Sequence, residues 1–246
     1  MPLFAMADMD AIFLSFPAAV HMAHTETAPP VSKTFDLPEF DHVDCSSGLR
    51  AVVSPGSGQS VRLEAGNRQL LERIKVEVVA RTLRARHGGN PLGAFIAGSV
   101  FNLAREATLF VTLPVLSGVT AATGANVTID VALGETFAAV VSTGAVLTVA
   151  ATKADDVNLV ATTSGIIEIG GACDRLDIRC SSGGRISAVE LAATEMKIEA
   201  AGGAVVEATA LERVSGHVRN GANVTLNGRP GIVEVGRSSG GTLTIC

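Results

Sequence analysis

Few residues in this chain are suited to chemistry, and each has a specific requirement that can be checked. Gly236-Arg237-Ser238-Ser239-Gly240 fits G-x-S-x-G, the turn that presents a nucleophilic serine. That device needs a helix after the serine and a histidine downstream. Here an alternating strand pattern follows, and no histidine comes after Gly240. Glu168 and Glu207 could serve as paired carboxylates. If they lie two strands apart, their Cα atoms are roughly 9.6 Å apart, at the far edge of the spacing used by inverting glycosidases. Asp155-Asp156 and Asp174-x-x-Asp177 offer oxygen ligands, but the G-G-x-G-x-D-x-U-x repeat of calcium-bound β-rolls is absent. The four cysteines, Cys45, Cys173, Cys180 and Cys246, allow three pairings and include no C-x2-C. Cys45 and Cys180 each open a Cys-Ser-Ser-Gly and are expected as buried thiols, since free cysteine behaves as a small hydrophobe. Cys173 is expected in a turn. Lys153, Arg175, Arg179, Arg185 and Lys197 lie scattered among acids and read as a solvated surface. His21 and His24 read as tail residues. No phosphate loop, HExxH or dinucleotide glycine run occurs. The expectation is therefore no catalytic, cofactor-binding or metal residues, no cofactor and no enzyme activity.

The elements that would position these residues come from a repeat, the feature to seek before any other. From Val119 to Ile245 one phrase returns seven times, as VTAATGANVTI, AVVSTGAVLTV, LVATTSGIIEI, IRCSSGGRISA, IEAAGGAVVEA, GHVRNGANVTL and VGRSSGGTLTI. Each is an alternating apolar run, a small Gly-containing turn and a second alternating run. Ala121 leads to Val127, Val141 to Leu147, Ala161 to Ile167, Cys180 to Ile186, Ala200 to Val206 and Val218 to Val224, always six residues on. Side chains alternate faces along a strand. The residues between the inward pairs therefore share an outer column: Thr128, Thr148, Glu168, Ser187, Glu207, Thr225 and Thr244. A further side supplies Phe137/Ala139, Val157/Leu159, Leu176/Ile178 and Met196/Ile198. One phrase cannot bury its apolar pair alone, but stacked phrases make a continuous core. Val and Thr suit strands, and the leucine-rich alternative, L-x-x-L-x-L-x-x-N, is absent. The spacing predicts an all-β chain forming a parallel β-helix of about 20 residues per coil. The N-x-T matches at Asn126-Val127-Thr128 and Asn223-Val224-Thr225 occupy the same repeat position, a turn Asn followed by a column Thr.

Composition agrees. Of 246 residues nine are Phe and none is Trp or Tyr, which fits a narrow aliphatic core and removes any indole platform for sugars. A net charge of −5 with dispersed signs gives no basic stripe, so nucleic acid is excluded as a partner. Residues 1–30 read as a signal-like or disordered segment. Ala11 to Ala23 is too short to span a bilayer and has the length of a signal-peptide core, yet no Lys or Arg precedes Lys33. Residues 35–246 are expected to form the β-helix domain, with a linker from Thr25 to Pro30. Val43, Cys45, Ala51 and Val53 repeat the inward grammar, and a strand is expected from Val61 to Ala65. Asn67 caps a short helix through Ile74 with Leu70, Leu71 and Ile74 on one face. Lys75–Val79 and Thr82–Arg86 read as a hairpin, His87–Ala107 as a loop or short helix, and Leu109–Leu113 as a strand.

Three stretches then resemble a known family: FDHVDCSSGL at Phe40 to Leu49, NRQLLERIKVEV at Asn67 to Val78, and VTLPVL at Val111 to Leu116. The chain from about Phe35 to Ile245 resembles the bacterial putative auto-transporter adhesin family with the head GIN domain. The resemblance implies a right-handed parallel β-helix, export to the periplasm or cell surface, and no established catalytic residues. The leading functional expectation is a non-catalytic exported module for adhesion or cell-envelope contact. Its partners would be a protein or a cell-surface glycan, with no passage through the membrane. A polysaccharide lyase or hydrolase is the second expectation; it would need carboxylates or cations clustered on one face over adjacent coils. The third is a self-assembling envelope scaffold. The last coil shows no polar cap, which places a homo-oligomer contact near Cys246.

Overall fold

The computed structural model describes residues 30–88 and 107–246. Its strands are β1 (Val31–Phe35), β2 (His42–Cys45), β3 (Arg50–Pro55), β4 (Ser60–Ala65), β5 (Ile74–Val79), β6 (Thr82–His87), β7 (Ala107–Leu113), β8 (Gly118–Ala121) and β9 (Asn126–Leu133). They continue with β10 (Thr136–Val141), β11 (Val146–Lys153), β12 (Asp156–Ala161), β13 (Ile166–Cys180), β14 (Arg185–Ala200), β15 (Val205–Arg219), β16 (Asn223–Asn227), β17 (Ile232–Ser238) and β18 (Thr242–Ile245). One helix, α1 (Arg68–Arg73), interrupts them. Strand makes up 67% of the described residues, and the seven phrases enclose a β-solenoid of about six turns.

Two long faces run down the rod. Sheet one takes β1, β4, β7, β3, β9, β11, β13, β14, β15, β16 and β18 in spatial order. Sheet two takes β5, β6, β2, β8, β10, β12, β13, β14, β15 and β17. Pairing is parallel except where β1, β4 and β7, and separately β5 and β6, run antiparallel. Strands β13, β14 and β15 belong to both sheets and bend from one to the other at register shifts.

The expected inward column is present: Leu147 pairs with Ile167, Ile167 with Ile186, Ile186 with Val206 and Val206 with Val224, and all are buried. On sheet two Phe137, Val157, Leu176, Met196 and Val214 stack in the same way. Thr128, Thr148, Glu168, Ser187, Glu207, Thr225 and Thr244 form the outer column of sheet one.

The corner between the sheets explains the Gly-containing turns. At Thr143-Gly144 two successive residues are left-handed, with φ of 53° and 68°. Threonine rarely adopts that region, because its branched Cβ crowds the backbone. Here each corner is held by the next: the Gly144 N–H donates to the Thr163 carbonyl at 3.1 Å, and Ala145 N–H closes the turn on Ser142 O.

The rod's two ends differ. Helix α1 closes the first. The Asn67 side chain accepts from the Leu70 N–H at 2.8 Å, and Leu70, Leu71 and Ile74 plug the core beneath β4 and β1. At the other end, Val233 and Ile245 continue the buried columns of Val214 and Leu226 but are 38% and 50% exposed. Arg237 continues the column of Val218 and puts a charge in a core register. Two corrections concern local elements. Ordered strand begins at Val31, ahead of Phe35, because β1 pairs antiparallel with β4. Cys173 lies within β13 and is buried, since that strand continues around the corner where a turn was expected. The signal-like segment, and residues 89–106 of the loop or short helix expected over His87–Ala107, lie outside the described residues, while His87 ends β6 and Ala107 begins β7.

Candidate binding face

The outward side chains of sheet two carry a run of charged residues over its later coils. Strand register places Asp156, Arg175, Glu195 and Arg213 in one column. Asp177, Lys197, Ser215 and Glu234 form the next, and Arg179, Glu199, His217 and Gly236 the third. Signs alternate along β13 and β14, and from coil to coil wherever neighbours in a column are both charged, giving a checkerboard centred on those two strands. Arg175 Nη2 donates to Asp156 Oδ2 at 2.6 Å, Arg179 to Asp177 at 3.0 Å, and Arg213 to Glu234 at 3.1 Å, while Lys197 stands 3.7 Å from Glu199. The Arg175 guanidinium holds the Asp156 carboxyl below its ordinary range, and Asp156 in turn raises Arg175. These groups are solvated, so each pair is individually weak. Their effect is local neutrality.

The residues that read as scattered in sequence are brought together here. Arg175, Arg179 and Lys197 are members of the checkerboard, although eighteen to twenty residues of chain separate neighbours within a column. No local motif carries that signal; coil register alone does.

Two cavities open on this face. One, about 280 Å³, lies among Asp156, Arg175, Asp177, Glu195, Lys197 and Arg213. The other, about 400 Å³, lies at the corner among Thr162, Arg179, Ser181, Glu199, His217 and Arg219.

The remaining candidates disperse. Ser238 ends β17 and is followed by the turn at Ser239-Gly240 and strand β18, so the helix of a nucleophile elbow is replaced by a strand. His217 neighbours Gly236 across the strands, its ring covering the space a side chain there would take. Glu168 and Glu207 flank Ser187 on sheet one and sit on a different face from the checkerboard. Asp155 contributes its backbone carbonyl to Asp174 and Arg175. Thr225 sits in the outer column as expected, and Asn223 bonds Thr242 in the next coil. Cys45, Cys173 and Cys180 are buried thiols pushed up to about 12, 11 and 11 by burial, and Cys246 is exposed; all four are free. Among the described residues no cluster of three or more His, Cys, Asp or Glu is placed to hold a metal ion. No helix among them is long and apolar enough to cross a membrane.

A capped parallel solenoid with a charge-balanced outer face defines the class of this protein. The chain belongs to the family described as putative auto-transporter adhesin, head GIN domain, which matches residues 39–230. Solved structures of the same fold include a putative adhesin from Bacteroides fragilis, with a TM-score of 0.76 at 15% identity over 89% of this chain and 98% of that one. A protein from Parabacteroides distasonis called a putative lipid binding protein gives 0.63 at 13% identity, over 88% and 96%. A putative adhesin from Parabacteroides merdae gives 0.62 at 13%, over 88% and 96%. No curated protein matches the sequence.

Proposed function

We propose that this chain is a non-catalytic, exported adhesion module that contacts the cell envelope or its surroundings through sheet two. Family membership supports adhesion, and the observation that carries the non-catalytic reading is the checkerboard itself. A general acid or base needs a carboxylate or cation left available at a reacting bond. Of the five carboxylates in the checkerboard columns, Asp156, Asp177, Glu199 and Glu234 each lie beside a guanidinium or ammonium group, and the fifth, Glu195, stands between Arg175 and Arg213 in its column. Fractionation of native cells tests export, with recovery in the periplasm or at the surface expected and recovery in the cytosol counting against it. Beads coated with the protein should adhere to envelope preparations, and reversing Arg175, Arg179 and Arg213 to Glu should abolish adhesion. Undiminished adhesion by that triple variant would remove sheet two from the proposal.

A polysaccharide lyase or hydrolase is the second reading. One observation favours it: both signs of charge recur over adjacent coils beside two cavities. New reducing ends after incubation with polygalacturonate would establish it. Self-assembly is a third reading. Its contact would be the exposed apolar side chains Val233 and Ile245 of β17 and β18. Light scattering that returned a monomer at high concentration would remove it.

A further inference from the structure

We infer that the corner notch beside Arg219 is a binding site for a single carboxylated sugar, such as a terminal uronic or sialic acid. The inference rests on the adhesive reading above and names the ligand class.

The notch lies at a corner built from small residues. Most corners of the ladder carry hydroxyl or larger side chains, as at Thr162-Thr163, Ser181-Ser182 and Arg219-Asn220. The coil between the last two turns through Ala201-Gly202-Gly203, with both glycines left-handed at φ 61° and 70°. A recess of about 400 Å³ opens beside this corner, with Ala200 and Ala201 in its lining. Thr162 and Ser181 stand on one side of it and Arg219 on the other, with Arg179, Glu199 and His217 along the sheet-two edge.

The lining is chemically selective. Arg179 is paired to Asp177, and Glu199 lies near Lys197, but among the described residues Arg219 forms no ion pair. With Arg179 and Glu199 each beside its own counter-charge, Arg219 is the lining group that carries the net positive charge of the notch, on a chain of net charge −5. An exposed guanidinium is the group best shaped to take a carboxylate through two parallel N–H donors. Glu199 forbids a bare anion, because a ligand with charge but no donors would be repelled. A ligand with a carboxylate at Arg219 and hydroxyls within reach of Glu199, Ser181 and Thr162 satisfies all of them. The lack of any aromatic wall argues against neutral sugars, which gain most of their contact by stacking. A sugar acid keeps its affinity through charge-assisted hydrogen bonds.

The test uses the full chain, with galacturonic acid and N-acetylneuraminic acid as probes, galactose as the neutral control and inorganic sulfate as the bare-anion control. Titration followed by NMR should give saturable shifts at Ala201, Gly202 and Gly203 for a sugar acid, with a dissociation constant on the order of 1 mM. Arg219→Ala and Arg219→Lys should weaken it about tenfold or more, since both lose the two-pronged contact. Ala201→Leu fills the recess and should abolish it. The arginine is exposed, so its variants keep the test valid if Ala201→Leu does not fold. Absence of saturation, equal binding of galactose, full displacement by sulfate, or unchanged binding by Arg219→Ala would each overturn the inference. If coated beads still adhere to envelopes while sugar acids neither bind nor compete, the notch assignment fails and the adhesive reading stands.

Discussion

Exchanging Ile167 and Glu168 for alanine, one at a time, probes the register on which every surface assignment depends. Ile167 is fully buried and stacks between Leu147 and Ile186; Glu168 is the next residue and faces water. Removing a buried Ile side chain costs about 2–5 kcal/mol, from lost transfer energy and the cavity left behind. The upper half of that range applies here, because each coil contacts only its neighbours and one void weakens two interfaces. For a chain of this size about 1 kcal/mol moves the melting temperature by roughly 2–4 °C. Ile167→Ala should therefore melt about 8–16 °C below the parent, taking a loss near 4 kcal/mol. Glu168→Ala touches nothing in the core and should stay within about 0.5 kcal/mol, or roughly 2 °C. Circular dichroism melts at one concentration and pH compare the two. Equal shifts, or a larger shift for Glu168→Ala, would refute the reasoning, since a slip of one residue turns every inward side chain outward.

Further tests address the backbone, pH and thiols. Gly216 has φ +136° and lies against the Ile198 carbonyl, so Gly216→Ala should cost about 3 kcal/mol or more, read as a lower melting temperature. Burial pushes the His42 imidazole below its ordinary 6.5, against the opposing pull of Asp41 and Asp44. The fold thus favours neutral His42, and the unfolded chain takes up the proton first; stability should hold above pH 6.5 and fall as pH drops below it. Urea midpoints across that range should flatten in His42→Asn. Asp156, whose pKa the Arg175 pair lowers from 3.8, favours the fold as a carboxylate, so its contribution should persist above that value and fade at more acid pH. Melts below pH 3.8 should show a smaller acid loss for Asp156→Asn than for the parent. A thiol reagent should titrate Cys246 alone in the native protein and reach Cys45, Cys173 and Cys180 only after unfolding, because those thiols are buried and held protonated.

The core was legible in the sequence because its information is local and periodic. A step of six from Val141 to Leu147 and again from Cys180 to Ile186 fixes which side chains point inward before any coordinate is known. Asn67 announced the capped helix for the same reason, since its capping contact spans three residues. Strand β1 was not legible: its partner β4 lies some thirty residues away, and VSKTF has no repeat companion to vouch for it. Cys173 misled because Gly170-Gly171 just before it suggests a turn, whereas β13 passes through that point as a bulged corner with Gly171 left-handed.

The checkerboard was illegible for a deeper reason, which also bears on what the molecule is for. Inward positions must satisfy two constraints, burial and stacking on the same column, so they repeat and can be counted. Outward positions satisfy neither and are free to differ from coil to coil. On sheet one the column from Thr128 to Thr244 is filled largely with Thr and Ser, residues a solvated strand tolerates. On sheet two, β13 and β14 fill their outward positions with charges of opposite sign in neighbouring coils. Solubility requires charge, but it does not require signs to alternate in two directions across one face. Alternation does remove like-charge contact between strands set about 4.8 Å apart, so a parallel stack permits dense charge only in this pattern. Within the proposed adhesive role, such a lattice favours a partner whose own charges complement its alternation. At its edge lies the Ala201 corner, where Arg219 stands beside the recess without a counter-ion among the described residues.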